Sequence, residues 1–169
     1  MKVNNLKELY LHQLRDIYDA ETQLTKALPE MAKNASHEDV RSAFEEHLEV
    51  TRNQIERLDQ IFRSMNEGSK RTTCVGMKGL IEEGREMLKK VEDPDALDAG
   101  LLASAQKVEH YEISAYGTAR TYAELLGEDE AAQLLQETLD EEEETDRRLT
   151  ELALEGINRE AIGDEEEEE

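Results

Sequence analysis

Apolar residues recur at the three- and four-residue spacing of an amphipathic helix over four long stretches of the chain. The breaks between these stretches are short, except for one longer interruption between the second and the third. An apolar stripe on each helix must be buried against the others, and short breaks make consecutive helices antiparallel neighbours. The pattern therefore predicts an all-α protein, an antiparallel four-helix bundle with an extra helix in the long crossover.

The first predicted helix runs from about Leu6 to Asn34, and Pro29 is expected to kink it or end it. The second begins after Ser36, whose side chain is expected to cap it, and Gly68 closes it. The residues expected to face inward are Leu11, Leu14, Tyr18, Thr25 and Leu28 on the first helix and Val40, Phe44, Leu48, Ile55, Leu58 and Phe62 on the second.

The crossover, from about residue 73 to 91, contains three glycines and is expected to be a shorter helix lying along the bundle. Asp93 and Pro94 should start the third long helix and Gly127 should end it, because proline suits a first turn and glycine suits a C-terminus. The fourth helix is predicted from about Asp129 to Leu154. Their inward residues are predicted to be Leu102, Ala105, Tyr116, Ala119, Ala123 and Leu126, followed by Leu135, Leu139, Leu149 and Leu152.

Several polar residues interrupt these apolar stripes at positions that should face the core. In a bundle with one crossover they fall within about one turn of midheight on their helices, so their side chains could converge. They are Glu21 on the first helix, His47 on the second, Glu109 and Glu112 on the third, and Glu142 and Asp146 on the fourth.

A buried carboxylate without a partner costs several kcal/mol, so each of these acids needs a proton, a cation or a metal ion. Basic residues fall mainly on outer faces, and Arg120 lies only at the edge of its stripe. Carboxylates with one histidine suit iron(II), manganese(II) or, less specifically, zinc. The cluster predicts a site for one or two metal ions. The alternative is a vestigial polar layer in which the carboxyl groups are protonated or hydrated.

The composition restricts the partners that the protein could have. Its 169 residues include 42 acidic and 20 basic side chains, a formal charge of -22, which should repel nucleic acids and anionic membranes. No run approaches the ~20 apolar residues that span a bilayer, and the first residues lack the core of a signal peptide, so a cytoplasmic location is expected. The acidic excess resembles that of proteins from high-salt cytoplasm, but an acidic surface also promotes solubility, and both explanations stay open.

The length predicts one domain over residues 1–162, followed by a disordered acidic tail at 163–169. Cys74 is the lone cysteine, so no disulfide can form within the chain. Its thiol could be reactive, but the interpretation as a small buried apolar residue is preferred.

Five stretches cover nearly the whole chain and together resemble the YciE/YciF family of ferritin-like proteins. The resemblance implies a homodimeric, ferritin-like four-helix bundle with an extra helix in the crossover. It also implies an association with bacterial and archaeal stress responses and no firmly assigned activity. The stretches are AETQLTKALPEMAKNAS, FEEHLEVTRNQIERLDQIF, KGLIEEG, AQKVEHYEISAYGTARTYAELLG and LLQETLDEEEETDRRLTELA.

The chain departs from the usual ferritin-like ligand pattern, in which two helices each supply Glu-x-x-His. Its third helix has Glu109-x-x-Glu112, and its fourth helix has threonine where the histidine would follow Glu142. Some members of the family have Glu-x-x-His at the positions of Glu49 and Arg52; here arginine replaces the histidine, so that pair is not carried over.

Three functions fit these observations. The first is a metal-dependent oxidoreductase or iron-handling protein that acts on a small molecule such as dioxygen or peroxide. The second is a non-catalytic dimeric stress protein or scaffold with a vestigial site. The third, iron storage in a hollow shell, would need many subunits. No Cys-x-x-Cys module is present to supply electrons, which weakens the interpretation as a complete peroxidase.

Overall fold

The structure is a computed structural model that describes residues 3–69 and 72–163. These residues form a helical bundle without strands, which confirms the predicted fold class. A π-helical turn and a short last helix extend the bundle beyond its fifth long helix. The elements are α1 (Leu6–Asn34), α2 (Glu38–Ser64), α3 (Val75–Lys90), α4 (Pro94–Leu126), α5 (Asp129–Leu152), the π-helical turn (Ala153–Ile157) and α6 (Asn158–Glu160).

Most of the predicted helix ends agree with the structure to within two residues. Asp93 caps α4 by accepting a hydrogen bond from the backbone N–H of Ala96 at 2.8 Å, and Pro94 is the first helical residue. Gly127 ends α4 with φ of 73°, a left-handed conformation that glycine adopts without strain. The predicted acidic tail lies outside the described residues apart from Gly163.

The predicted cap of α2 was wrong. His37, not Ser36, is the N-cap, and its Nδ1 accepts a hydrogen bond from the backbone N–H of Asp39 at 3.2 Å. The cause is a buried carboxylate on α4. Asp98 accepts hydrogen bonds from the backbone N–H groups of Ser36, at 2.9 Å, and His37, at 2.7 Å, and so fixes the α1–α2 loop one residue further on.

Helix α1 does not end at Pro29 but continues to Asn34. Proline inside a helix costs about 3 kcal/mol through a lost hydrogen bond and a steric clash. Beyond it, Met31 and Ala32 are buried in the apolar core, and burial of such side chains stabilises by a comparable amount. Packing therefore outweighs the local preference.

Cys74 is buried, as the preferred interpretation of the sequence predicted. It precedes α3 and caps it, with Sγ 3.4 Å from the backbone N–H of Met77 and 2.9 Å from the Tyr111 hydroxyl. Burial raises the pKa of the thiol, so the nucleophilic thiolate is disfavoured at neutral pH.

Two apolar clusters fill the bundle, one toward each end, and the chain passes from one to the other on all four long helices. On α2, for example, Phe44 belongs to the first cluster and Leu58 to the second. Polar side chains lie between the clusters and are almost fully buried. This midheight layer consists of Glu21, His47, Thr51, Gln54, Glu109, Glu112, Thr138 and Glu142.

The predicted inward stripe of α1 was correct at Leu14 and Leu28, which are buried, and one residue off at its other three positions. The buried face carries Tyr10, Ile17 and Leu24, whereas Leu11 and Tyr18 are only half-buried at its edge. Long side chains at the edge of a stripe look as apolar in the sequence as those at its centre, so the pattern alone could not separate them. The other predicted inward residues that are only half-buried are Thr25, Leu48, Ile55, Leu126 and Leu152.

Candidate metal centre

Four buried side chains from three helices meet at midheight. His47 comes from α2, Glu109 and Glu112 from α4, and Glu142 from α5. Each offers one ligand atom, and these atoms all lie within 4.8 Å of one another. That spacing allows one metal ion to contact all four side chains after small rotamer adjustments.

The local sequence explains why α4 supplies two ligands. Residues three apart on a helix share a face, so Glu109 and Glu112 point into the same layer. Their neighbours on that face are mostly small, including Ala105 and Ala115, which leaves room for two carboxylates between α4 and the opposite helices.

Glu21 supplies a fourth carboxylate at the same level, outside the four-residue group. It is fully buried, and its Oε1 accepts a hydrogen bond from the hydroxyl of Tyr116, which is also fully buried. Its Oε2 has no hydrogen-bond partner. Burial raises the pKa of Glu112, and the negative charge of Glu21 raises it further, so the two carboxyl groups are electrostatically linked.

A polar chain from α2 supports Glu142. The Gln54 amide donates to Glu142 Oε1 at 2.5 Å and to Glu141 Oε2 at 3.2 Å. Arg57 then donates two hydrogen bonds to the Glu141 carboxylate, both at 2.6 Å. This chain fixes one oxygen of Glu142, whereas its Oε2 has no hydrogen-bond partner.

Most acceptors of the centre are unsatisfied. The atoms that have no hydrogen-bond partner include both oxygens of Glu109 and both of Glu112, one oxygen of Glu142, and His47 Nε2. His47 Nε2 lies 3.3 Å from Glu109 Oε1, without the geometry of a hydrogen bond. Each unsatisfied buried polar group costs about 1–3 kcal/mol, and charged ones cost more. The donor set therefore fits a cation better than an empty protein interior.

Protons and metal cations compete for the buried carboxylates, and a higher pH favours the metal cation. Burial raises the pKa of Glu21, Glu109 and Glu112 well above the usual value, and the charge of neighbouring carboxylates adds to it. Burial also raises the pKa of Glu142 to about 7. Conversely, burial lowers the pKa of His47 to about 4, so its imidazole is neutral and its nitrogen is available for a metal.

Asp146, predicted as a sixth site residue, is not brought into the four-residue group. Its side chain is 22% exposed and lies 3.4 Å from His110 Nε2 and 3.4 Å from the Gln106 amide. Four residues along a helix advance the side chain by about 400°, which turns Asp146 some 40° past the direction of Glu142. That rotation moves it from the centre to the boundary with α4.

Glu49 and Arg52 are exposed and do not belong to the metal centre on this chain. Their side chains are 67% and 55% exposed, and they form an ion pair with each other on the outer face of α2. The arginine that stands where some family members have histidine therefore forms a solvent-exposed ion pair.

The residues that sequence reasoning missed are the supporting partners. Gln54 follows His47 by seven residues, two helical turns along the same face, but nothing in the sequence identifies Glu142 as its partner. Glu141 stands in a run of four glutamates at 141–144, a pattern typical of a solvated face, yet it is half-buried and paired with Arg57. A glutamate facing an arginine on another helix becomes visible only when the register of the two helices is known.

Changing Tyr116 to phenylalanine is expected to destabilise the protein by about 1–3 kcal/mol, because Glu21 loses its hydrogen-bond donor while remaining buried. Urea unfolding followed by circular dichroism measures this change. Tyr122→Phe, at a half-buried position on the same helix, is the matched control and should change stability by less than about 0.5 kcal/mol. Equal stability of the two variants would contradict the assigned contact.

Among the described residues, no helix is both long enough and apolar enough to cross a membrane.

Comparison with known proteins gives consistent matches over nearly the whole chain. A family model described as a domain of unknown function, DUF892, matches residues 5–162. Protein YciF of Escherichia coli K12 is 49% identical over 162 residues, which are 95% of this chain and 98% of that protein. The predicted resemblance to the YciF family is thereby confirmed.

Solved structures support the same relationship. The crystal structure of the E. coli stress protein YciF matches with a TM-score of 0.89, over 92% of this chain and 99% of that one. YcfI from Rhodopseudomonas palustris, for which a structural role has been suggested, is 42% identical with a TM-score of 0.86, over 88% and 95% of the two chains. A Xanthomonas campestris protein, 22% identical with a TM-score of 0.73 over 94% and 97%, shares the fold.

Proposed function

The chain belongs to the DUF892 family, whose members include YciF, and we propose that it is a stress-response protein with a carboxylate-rich metal centre in its bundle. The preferred ion is iron(II), with manganese(II) or zinc as alternatives, because the donors are hard oxygens and one neutral imidazole. One observation carries the proposal. Glu109 and Glu112 are buried with all four carboxylate oxygens lacking a hydrogen-bond partner, a state that a bound cation would relieve.

Charge balance supports a capacity for two ions. Glu21, Glu109, Glu112 and Glu142 carry four negative charges when ionised, and His47 is neutral. Two divalent cations would neutralise the group, whereas one would leave two carboxyl groups in need of protons. Glu21, Glu109, Glu112 and Glu142 would hold the two ions together with His47, and the ions would neutralise their charge.

The proposed chemistry is iron-dependent oxidation or removal of peroxide. A pair of iron ions would supply the electrons for reduction of dioxygen or peroxide. The protein's residues would hold the ions, exclude bulk water and orient the ligands. The Tyr116 hydroxyl donates a hydrogen bond to Glu21, and the Gln54 amide donates one to Glu142. We expect a homodimer to carry out this function in the cytoplasm.

Metal content after anaerobic reconstitution with iron(II) and removal of loose ions tests the proposal. The expected result is one to two ions per chain in the native protein, measured by elemental analysis. Glu142→Gln should lower this content, while Glu143→Gln, an exposed neighbour on the same helix, should not. Less than about 0.2 ion per native chain would overturn the proposal and favour the non-catalytic scaffold with protonated carboxyl groups.

A further inference from the structure

A groove runs between α2 and α5 at the level just beyond the metal centre. It encloses about 290 Å³, enough for several water molecules or one hydrated cation. Its lining combines acidic, hydroxyl and small apolar side chains. The residues that carry the argument are Asp39, Ser42, Glu46, His47, Glu151 and Glu155.

The groove is strongly acidic. Four carboxylates line it, and the one guanidinium in the lining, that of Arg148, lies 2.8 Å from the carboxylate of Glu46. Glu151 is paired with Arg147 from the adjacent surface of α5. Asp39 lies 3.7 Å from His37 Nδ1, a nitrogen that already accepts a hydrogen bond from the backbone. Glu155 has no basic partner in the lining, so the carboxylates outnumber the cations and the potential inside attracts cations.

His47 connects the groove with the centre. It lines the groove, yet it is only 4% exposed, and its Nε2 has no hydrogen-bond partner. The same nitrogen lies 3.3 Å from the Glu109 carboxylate. The imidazole therefore lines the groove on one side and lies beside a ligand carboxylate of α4 on the other.

The π-helical turn contributes one residue to the groove lining. It spans Ala153–Ile157 directly after α5 and contains Glu155, which is exposed and lines the groove. Such turns are frequent at functional sites.

A second cavity also touches His47 but suits cations poorly. It has a volume of about 40 Å³, and its walls are mainly aliphatic, with Leu24, Val108 and Ile81 among them. No carboxylate lines it. A hydrated divalent ion would lose its water there without gaining ligands, whereas the α2/α5 groove offers carboxylates along its length.

We propose that the α2/α5 groove is the entry route by which divalent metal cations reach the buried centre. The groove carboxylates concentrate the hydrated ion at the surface, and the ion then exchanges water for the His47 imidazole and the carboxylates of Glu109 and Glu142. This inference rests on the proposed function, because a route to the centre has a purpose only if the centre binds metal.

Stopped-flow loading of the full-length protein with cobalt(II), followed by its visible absorption, tests the route. The groove variant Asp39→Asn/Glu151→Gln/Glu155→Gln removes three negative charges. The control Glu82→Gln/Glu83→Gln/Glu86→Gln removes three from the exposed face of α3. At low ionic strength the groove variant should load about tenfold more slowly and the control within about twofold of the native rate. Both should reach the native end point.

A second variant tests the route without changing charge. Ser42 is exposed in the groove lining, so Ser42→Trp narrows the groove without entering the core, and it should also slow loading. Native loading rates in both groove variants, or equal slowing in the control, would overturn the route while leaving the metal centre standing. Absence of a cobalt(II) spectrum from the native protein would overturn the proposed function and the route together.

Discussion

Replacing Glu109 and Glu112 together by glutamine is expected to weaken metal binding by at least about 100-fold, which corresponds to about 2.7 kcal/mol. The change removes two of the three carboxylates in the four-residue group and leaves neutral amides of nearly the same shape. Titration of manganese(II) or cobalt(II) into the protein measures the affinity. Glu45→Gln/Glu143→Gln removes the same charge from exposed positions and should bind metal like the native protein.

The same double variant should be at least as stable as the native protein when no metal is present. Its amides remove two buried groups whose ionisation burial opposes at neutral pH. A structural role for these glutamates predicts the reverse, since loss of a structural contact destabilises the metal-free protein. A variant that is clearly less stable without metal yet still binds metal with native affinity would contradict the account.

The stability of the metal-free protein should fall as the pH rises from 5 to 7.5. Glu142 ionises near pH 4.5 when unfolded and near pH 7 when folded, so the native state holds more protons between these values. Stability conferred by the protonated form is complete below the unfolded pKa and is lost as the pH rises through the folded one. For this one group the loss is on the order of 3 kcal/mol, and the other three glutamates shift in the same direction. His47, whose pKa burial lowers to about 4, acts in the opposite direction by about 2 kcal/mol, so the glutamates determine the sign of the change.

Metal should reverse this loss, because a divalent ion stabilises the ionised carboxylates. At a free concentration about 1,000 times the Kd, binding adds about 4 kcal/mol, or roughly 8–16 °C in Tm for a chain of this size. Thermal unfolding at pH 5, 6 and 7.5, with and without manganese(II), measures both effects. The variant Glu109→Gln/Glu112→Gln/Glu142→Gln serves as the reference that cancels the titration of surface carboxylates. The same pH profile in reference and native protein would contradict the electrostatic account.

The helical periodicity identified five of the midheight polar residues because burial on a helix depends mainly on facing. Glu21, His47, Glu109, Glu112 and Glu142 each interrupt an apolar series, and each is buried in the structure. The direction of the side chain also explains why Asp146 was predicted to join the site but lies outside it. Asp146 shares an approximate face with Glu142, but the 40° difference turns it toward α4 and solvent. Helical periodicity does not distinguish buried from half-buried residues at the edge of an apolar stripe.

Contacts between helices could not be predicted, because they depend on relative register. The pairing of Gln54 with Glu142 and of Arg57 with Glu141 joins residues more than 80 positions apart. Likewise, Asp98 reaches the start of α2 from a helix about 60 residues later and displaces the predicted cap from Ser36 to His37. Local preference determined the helices, whereas these long-range contacts determined the details of their ends and of the centre.

Anomalous scattering from crystals grown with manganese(II) tests the central claim most directly, since it locates the ion and its ligands in one experiment. The account predicts one or two peaks at midheight, within about 2.5 Å of carboxylate oxygens of Glu109, Glu112 and Glu142. Manganese peaks confined to the acidic surface would contradict it, provided that the carboxyl groups at midheight are well ordered and contact only water or each other.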